Sequence, residues 1–281
     1  MSRRNLSGRI LAAIRRVRPN TTPSELLALL GVLAAATALL AFVALAGEVL
    51  EGETRSFDRA LLLALRNPAD LSDPIGPRWL EEVARDVTAL GSTVILSYAT
   101  LASVGYLALS RRRSAAWPVL AAVAGGTLLS SLLKLGFDRP RPDLVPHAVE
   151  VYTASFPSGH AMLSAVTWLT LGALMMRVEP RRRVKAYVMA MAVLTTLMVG
   201  ASRVYLGVHW PTDVLAGWCL GAAWALLCWL VALWLQGRGR VERDAPEAMA
   251  PGSGGATPPA PAGEDPRPRR PGTPPLPARR S

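Results

Sequence analysis

The stretch 26–47 reads LLALLGVLAAATALLAFVALAG and holds 22 residues without a charged side chain. A helix needs about 20 apolar residues to cross a bilayer, so this stretch is long enough for one span. Five further uncharged stretches follow in the chain of 281 residues, whose mean hydropathy is +0.28. Six buried helices of such length would leave a soluble protein too little polar sequence to cover them, which excludes that class. The further stretches are 87–110, 114–133, 151–176, 186–202 and 214–237.

These stretches predict an all-α, polytopic membrane protein, a bundle of six transmembrane helices. In the fourth stretch Pro157 disfavours helix, so we expect the helix to begin at about Gly159. The fifth stretch has only 17 residues and predicts a span with little tilt. A cleaved signal peptide is the alternative for the first stretch, since Ala44–Ala46 resembles a cleavage site. Its apolar region exceeds the usual length of roughly 7–15 residues, which favours a retained span.

Basic residues are concentrated in alternate loops. Cytoplasmic loops of membrane proteins are enriched in Lys and Arg. This rule places both termini in the cytoplasm and the loops at 48–86, 137–158 and 203–212 outside. The distribution explains the net charge of +11, so no nucleic-acid partner is expected. The basic residues of the cytoplasmic segments are Arg3, Arg4, Arg9, Arg15, Arg16, Arg18, Arg111, Arg112, Arg113, Arg177, Arg181, Arg182, Arg183, Lys185, Arg238, Arg240 and Arg243.

Composition divides the chain into three segments. We predict a basic cytoplasmic segment at 1–23 and the six-helix membrane domain at 24–240. Residues 241–281 predict a disordered cytoplasmic tail, because eleven of the last 36 residues are Pro, mixed with Gly, Ala, Ser and Arg. Two short amphipathic patterns, Phe57–Leu65 and Pro77–Arg85, occupy the long first outer loop. We expect helices there that lie on the membrane surface, form a lid or serve as packing elements.

Three polar clusters interrupt the apolar chain, each at the predicted outer end of a span. Lys134 ends the third stretch and is followed by Asp138–Pro142. Pro157–His160 opens the helix of the fourth stretch, while Ser202–Arg203 and His209–Asp213 connect the fifth to the sixth. Helix ends that meet on one side of a bundle bring such residues into one pocket.

The clusters contain the residue types of a phosphate site. Lys134, Arg141 and Arg203 supply positive charge, and arginine can bind phosphate oxygens through two parallel hydrogen bonds. Ser158 and Gly159 stand at a helix start, where free backbone N–H groups and the helix dipole favour an anion. Glycine there lets a ligand approach the backbone closely. We therefore predict that these five residues bind a phosphate group.

Two histidines and an aspartate supply the predicted chemistry. Asp213 follows His209 by four residues, with Pro211 at the expected first helical position. Its carboxylate can bond one imidazole nitrogen and leave the other as a nucleophile. His160 then serves as general acid for a poor alkoxide leaving group, and afterwards as the base that activates water.

The three clusters together resemble a known signature. Lys134-x6-Arg141-Pro142, Pro157-Ser158-Gly159-His160 and Ser202-Arg203-x5-His209-x3-Asp213 are similar to the three-part signature of the type 2 phosphatidic acid phosphatase superfamily. The resemblance covers about 26–236 and fills every defining position. It implies a six-helix membrane phosphatase that removes phosphate from a lipid phosphate or diphosphate through a phosphohistidine, without a metal or other cofactor.

The resemblance also implies a role for each matching residue. His209 is the nucleophile, Asp213 orients it and His160 is the acid. Asp138 and Arg139 lie outside the strict pattern, and their roles stay open. The residues implied to hold phosphate are Lys134, Arg141, Ser158, Gly159 and Arg203.

Each of these residues also has a purely structural interpretation. Lys134 alone would extend to the lipid headgroups, Ser158 would cap a helix, and Asp213 would favour a helix N-terminus. His147, outside the clusters, is interpreted as a solvated loop residue. Ionisable groups at the membrane edge are functional by default. Their joint spacing therefore favours the catalytic interpretation.

Other chemistries would use the same residues. A serine hydrolase built on Ser158, His209 and Asp213 would lack the usual G-x-S-x-G turn. A metal site formed by both histidines and Asp213 is opposed by the surrounding cations. A vanadium-dependent haloperoxidase shares the signature by resemblance, but the lipid setting argues against it. The alternative from a different class is a non-catalytic lipid-binding or transport protein.

The identity of the lipid is not encoded in these motifs. Phosphatidate, phosphatidylglycerophosphate, undecaprenyl diphosphate and a sphingoid phosphate all present a phosphate at headgroup level. The predicted outward-facing site favours a substrate in the outer leaflet, such as the carrier diphosphate of cell-wall synthesis. The high ratio of Arg to Lys and the compact size suit a bacterial inner-membrane protein. The sequence predicts no particular protein partner or oligomeric state.

Overall fold

The computed structural model of the protein describes residues 22–143 and 154–238. Long helices form a bundle in this part of the chain, and a small antiparallel hairpin lies between two short helices. The helices are α1 (Pro23–Glu51), α2 (Arg55–Ala64), α3 (Arg78–Ala89), α4 (Thr93–Leu109), α5 (Arg113–Gly136), α6 (Gly159–Val178), α7 (Arg182–Tyr205) and α8 (Pro211–Gly237), and the strands are β1 (Arg66–Asn67) and β2 (Asp70–Pro74).

The described helices confirm a polytopic helical membrane protein. Five of them, α1, α5, α6, α7 and α8, are each long and apolar enough to cross a membrane. Helices α3 and α4 meet that condition together, as a span bent by 47°. Leu40, Leu109 and Leu135 are 69, 88 and 86% exposed on the outer faces. Such extensive exposed apolar surface suits contact with lipid.

The second uncharged stretch, 87–110, is not one helix as predicted. Helix α3 ends within it, and α4 begins only after Ser92, whose side chain accepts a hydrogen bond from the amide of Ile95 at 3.3 Å. The Leu90 carbonyl at the break accepts a hydrogen bond from Trp168 Nε1 of α6 at 3.1 Å. These side-chain contacts satisfy backbone groups that a continuous helix would pair internally. The absence of charge hid a signal that Gly91 and Ser92 carry, since these residue types are typical of a helix end and an N-cap.

The other predicted spans agree with the structure to within a few residues at most ends. Helix α6 begins at Gly159, as Pro157 indicated. Helix α7 has 24 residues rather than the 17 of its uncharged stretch, because its charged ends continue the helix. Helix α1 extends from a capping box formed by Thr22 and Glu25 to Gly52, which has a positive φ of 80°. Because α7 has 24 residues, the expectation of a short fifth span is wrong.

Helix α8 is the centre of the bundle and packs most extensively against α6 and α1. Its contact with α6 depends on two glycines. A Cβ atom on Gly217 would lie 2.7 Å from the Ser158 carbonyl oxygen, and one on Gly221 would lie 2.5 Å from that of Met162. Since no real Cβ atom fits at these distances, only glycine permits the two backbones to approach so closely.

Packing at one end of the bundle fixes the segment that precedes α6. Phe156 is fully buried, with its ring centroid 4.7 Å from that of Phe137 and 6.1 Å from that of Phe42. It joins a core cluster that includes Met162 of α6 and Ala216 of α8. This apolar cluster holds the start of α6 against α1 and α8.

Both helices expected in the first long loop are present, as α2 and α3. Leu62 of α2 is fully buried and belongs to a cluster with Val214 of α8, so α2 is a packing element of the bundle. The hairpin between the two helices was not predicted. The predicted N-terminal basic segment, the Pro-rich tail and residues 144–153 lie outside the described residues, apart from 22–23.

The close crossing of α6 and α8 gives a stability prediction. Gly221→Ala is expected to destabilise the protein by about 1–3 kcal/mol, because the new methyl group meets the Met162 carbonyl oxygen. Gly105→Ala in α4 is the matched control, since a Cβ atom there meets nothing within 4 Å. The control should leave stability unchanged or raise it by about 0.4–1 kcal/mol. Thermal unfolding in detergent micelles measures both, and equal shifts in the two variants would contradict this account of the crossing.

Candidate active site

The structure brings the three polar clusters together at one end of the bundle. Arg141 Nη1 lies 3.2 Å from His209 Nε2. Lys134 Nζ lies 3.3 Å from the position that a Cβ atom on Gly159 would take. Arg203 is near enough to His209 and Arg141 to act on their charges. The ends of α5, α6, α7 and α8 thus contribute to a single site, as the sequence predicted.

His209 and Asp213 form the buried centre of this site, at 1 and 0% exposed. Asp213 Oδ2 lies 3.4 Å from His209 Nδ1. A carboxylate in that position requires a proton on Nδ1, which leaves the lone pair of the ring on Nε2. Since a guanidinium can only donate, the Nε2 lone pair accepts a hydrogen bond from Arg141 Nη1 and faces the cationic part of the site.

The environment keeps the His209 imidazole neutral. Burial is the main reason that the pKa of His209 falls from 6.5 to about 4. The hydrogen bond and charge of Asp213 raise this pKa, whereas the charges of Arg141 and Arg203 lower it. A neutral ring at pH 7 keeps the Nε2 lone pair available, which a nucleophile requires.

The start of α6 differs from the expectation in one respect. The Ser158 amide does not remain free for an anion, because it donates a hydrogen bond to the Asp213 carbonyl oxygen at 3.0 Å. Its side chain caps the helix and accepts from the Ala161 amide at 3.5 Å. Within residues 22–143 and 154–238, the amides of Gly159 and His160 are the N–H groups of this turn that remain for an anion. Ser158 therefore joins α6 to α8, a role that the local sequence did not reveal.

Arg203 and His160 also lie near the other charged groups of the site. Arg203 is 7% exposed, and its Nη1 donates to Thr88 Oγ1 of α3 at 3.3 Å. Among the described residues its buried Nε has no hydrogen-bond partner. A buried guanidinium nitrogen without an acceptor suits a site that binds an anion. His160 packs against Gly91 at the α3–α4 break. A Cβ atom added to Gly91 would lie 3.4 Å from the Cβ atom of His160.

Sequence reasoning assigned no role to several residues that contact the buried centre or connect to it. Ser155 Oγ donates to Asp213 Oδ2 at 2.5 Å and lies 3.3 Å from His209 Nδ1. Arg139, whose role stayed open, donates from Nη1 to Asp213 Oδ1 at 2.5 Å. Asp58 lies in the distant helix α2 and bonds Thr212. Ser155 is an ordinary loop serine in the sequence, and Asp58 resembles the polar side of an amphipathic helix, so neither position carried a signal.

An apolar cavity of about 390 Å³ lies elsewhere in the bundle. Leu27, Val119, Leu169 and Trp229 are among the residues that line it. None of the predicted site residues does so. This apolar cavity is therefore separate from the polar cluster around His209.

Comparison with known proteins agrees with this architecture. A sequence profile described as the PAP2 superfamily matches residues 115–236. Phosphatidylglycerophosphatase B of Bacillus subtilis is 33% identical over 187 residues, which cover 65% of this chain and 86% of that protein. Undecaprenyl-diphosphatase of Sulfolobus acidocaldarius is 33% identical over 95 residues, which cover 34% of this chain and 40% of that protein.

A solved structure extends the similarity to the fold. The crystal structure of a transmembrane PAP2-type phosphatidylglycerolphosphate phosphatase from Bacillus subtilis matches with a TM-score of 0.63 and 28% sequence identity. The match covers 74% of this chain and 98% of that chain. Both the sequence and the arrangement of helices are thus shared over most of the relative's length. This chain belongs to the PAP2 superfamily, the type 2 phosphatidic acid phosphatases that its three motifs resemble.

Proposed function

We propose that this membrane protein is a lipid phosphatase that hydrolyses a phosphate or diphosphate through a phosphohistidine on His209. The observation that carries the proposal is the orientation of the imidazole. Nδ1 lies beside the Asp213 carboxylate, and Nε2 lies 3.2 Å from Arg141. A neutral nucleophile next to a guanidinium is suited to attack a phosphorus atom whose oxygens that cation binds.

The first step transfers the phosphoryl group to the protein. Lys134, Arg141 and Arg203 bind the phosphate oxygens and stabilise the charge that they carry in the transition state. His209 Nε2 forms a bond to phosphorus, and the bond from phosphorus to the lipid oxygen breaks. Asp213 stabilises the positive charge that develops on the ring through its contact with Nδ1. His160 donates a proton to the departing lipid oxygen, because an alkoxide is a poor leaving group.

The second step returns the protein to its starting state. His160, now neutral, accepts a proton from a water molecule that attacks phosphorus. The bond from Nε2 to phosphorus breaks, and inorganic phosphate leaves. The reaction as proposed needs only side chains of this chain, and we propose that it proceeds without a metal ion.

The substrate is proposed to be a lipid of the outer leaflet. The distribution of Arg and Lys predicts cytoplasmic termini and a site that faces outward. The names of the two relatives support a glycerophospholipid phosphate and a polyprenyl diphosphate as candidates. We assign the activity to the membrane domain at 24–240, in the bacterial inner membrane.

Removal of the nucleophile is the first test. His209→Ala is expected to lower phosphate release by more than about 10³-fold, because only binding and charge stabilisation remain. The assay uses purified protein in detergent with EDTA, on phosphatidate, phosphatidylglycerophosphate and undecaprenyl diphosphate. His147→Ala is the matched control, since His147 lies outside the three motifs, and it should retain the activity. Loss of activity on adding EDTA would contradict metal independence, and an active His209→Ala protein would redirect the work to lipid transport.

Removal of the proposed acid should depend on the leaving group. His160→Gln is expected to reduce hydrolysis of a lipid phosphate by about 10²–10⁴-fold. An aryl phosphate such as 4-nitrophenyl phosphate needs no proton donor, so its first step should be affected much less. The second step still lacks its base, so phosphorylated protein should accumulate from the aryl substrate. Rapid-quench measurement of acid-labile phosphoprotein checks this, and equal loss on both substrates without accumulation would argue against His160 as the acid.

A further inference from the structure

A carboxylate from a distant part of the chain is buried at the start of α8. Asp58 of α2 is 1% exposed, and its Oδ1 accepts a hydrogen bond from the Thr212 amide at 2.9 Å. Its Oδ2 accepts from Thr212 Oγ1 at 2.7 Å. Trp210, at the N-cap position of α8, has no side-chain oxygen to cap the helix. Asp58 therefore caps α8 from another helix, and it does so through Thr212, the residue before Asp213.

Arg139 connects Asp58 to the proposed catalytic carboxylate. Its Nη2 donates to Asp58 Oδ2 at 2.6 Å, and its Nη1 donates to Asp213 Oδ1 at 2.5 Å. The same guanidinium donates to Thr212 Oγ1 at 2.8 Å and to Thr54 Oγ1 at 3.2 Å. A planar guanidinium held by four acceptors has little freedom to turn. Arg139 is thus fixed between two carboxylates that lie at 1 and 0% exposed.

These contacts determine which oxygen of Asp213 meets His209. Oδ1 is occupied by Arg139, so Oδ2 is directed to Ser155, to the Trp210 amide at 3.0 Å and to His209 Nδ1. A carboxylate without the bond at Oδ1 would be free to rotate about its terminal torsion. The distance from Asp213 to His209 would then vary, and with it the tautomer of the imidazole.

The net charge of Asp58, Arg139 and Asp213 also favours the proposed role of Asp213. Two carboxylates and one guanidinium carry a net charge of −1, whereas Arg139 and Asp213 alone would be neutral. Asp58 therefore preserves negative charge next to His209, where the imidazolium character of the first step requires it. A buried cation that served only to neutralise Asp213 would not need the second carboxylate.

We propose that Asp58 and Arg139 are positioning residues that set the orientation of Asp213 and the tautomer of His209. This inference rests on the proposed function, and it gives the first long loop a part in catalysis. Neither residue touches the phosphate, and both act through Asp213.

Asp58→Asn in the full chain is the decisive variant. The amide keeps the shape of the side chain and an acceptor for the Thr212 amide, but removes the charge. We expect kcat to fall between about 10-fold and 100-fold, because small displacements of catalytic groups have effects of that size. KM should change less than about 2-fold, because the phosphate-binding cations are unaltered. Asp70→Asn is the matched control, because Asp70 is exposed and, within the described residues, its side chain bonds only Ser72 of the same turn. The kcat of this control variant should match that of the unaltered protein.

A spectroscopic measurement separates positioning from general loss of structure. The chain has three histidines, so ¹⁵N-labelled histidine gives few signals, and His209→Ala identifies those of His209. The fraction of His209 with its proton on Nδ1 should fall in Asp58→Asn and stay unchanged in Asp70→Asn. The charge-balanced double variant Asp58→Asn with Arg139→Gln gives the same test if the single variant does not fold.

The possible outcomes are distinct. Unchanged His209 signals in Asp58→Asn, or a rise in KM equal to the fall in kcat, would overturn the positioning role while leaving the phosphatase proposal intact. Failure of the unaltered protein to release phosphate from any of the three lipids would instead overturn the proposed function. The ¹⁵N signals would still show whether Asp58 controls the imidazole.

Discussion

Burial of the Asp213 carboxylate is the constraint on which the rest of this end of the molecule depends. An ionised carboxylate taken out of water is strongly unfavourable unless charges and hydrogen bonds compensate it. Arg139, Ser155, the Trp210 amide and His209 all point at its two oxygens. Arg139 follows α5, Ser155 precedes α6, and His209 and Trp210 are adjacent in the loop before α8. The need to satisfy one buried anion therefore draws α2, the segment after α5, the segment before α6 and the start of α8 into a single arrangement.

The close crossing of α6 and α8 makes that arrangement possible. Gly217 brings the backbones so near that the Ser158 amide reaches the Asp213 carbonyl oxygen at 3.0 Å. The proposed nucleophile and the proposed phosphate-binding turn are thereby held by a main-chain contact, which does not depend on flexible side chains. Such rigidity is what a phosphoryl-transfer site needs, since its catalysis consists mainly of positioning and charge stabilisation. In this chain the proposed chemistry thus rests on a helix contact that only glycine allows.

Much of the fold and the candidate site could be predicted from the sequence. Long uncharged stretches indicate spans, because the backbone of a chain in lipid must form its hydrogen bonds within helices. The positions of the motifs at the ends of these stretches predicted that Lys134, Arg141, His160 and His209 lie at one end of the bundle. The remainder depends on tertiary contacts that leave no local pattern. The break after α3 lies in uncharged sequence and is stabilised by Trp168 from another helix. Asp58 occupies a polar position of an amphipathic pattern, yet its carboxylate is buried because α8 needs a cap that its own sequence lacks.

The bent span also relates the protein to the thickness of its membrane. Helix α4 has 17 residues, a length of about 25 Å at 1.5 Å per residue, whereas a hydrocarbon core measures about 30 Å. The bilayer beside α4 must become thinner locally, or the apolar end of α3 must complete the crossing. Such hydrophobic mismatch acts on the bend itself, where Gly91 packs against His160. We therefore expect the thickness of the bilayer, which the chain length of the lipids sets, to bear on the bend beside His160, the proposed acid.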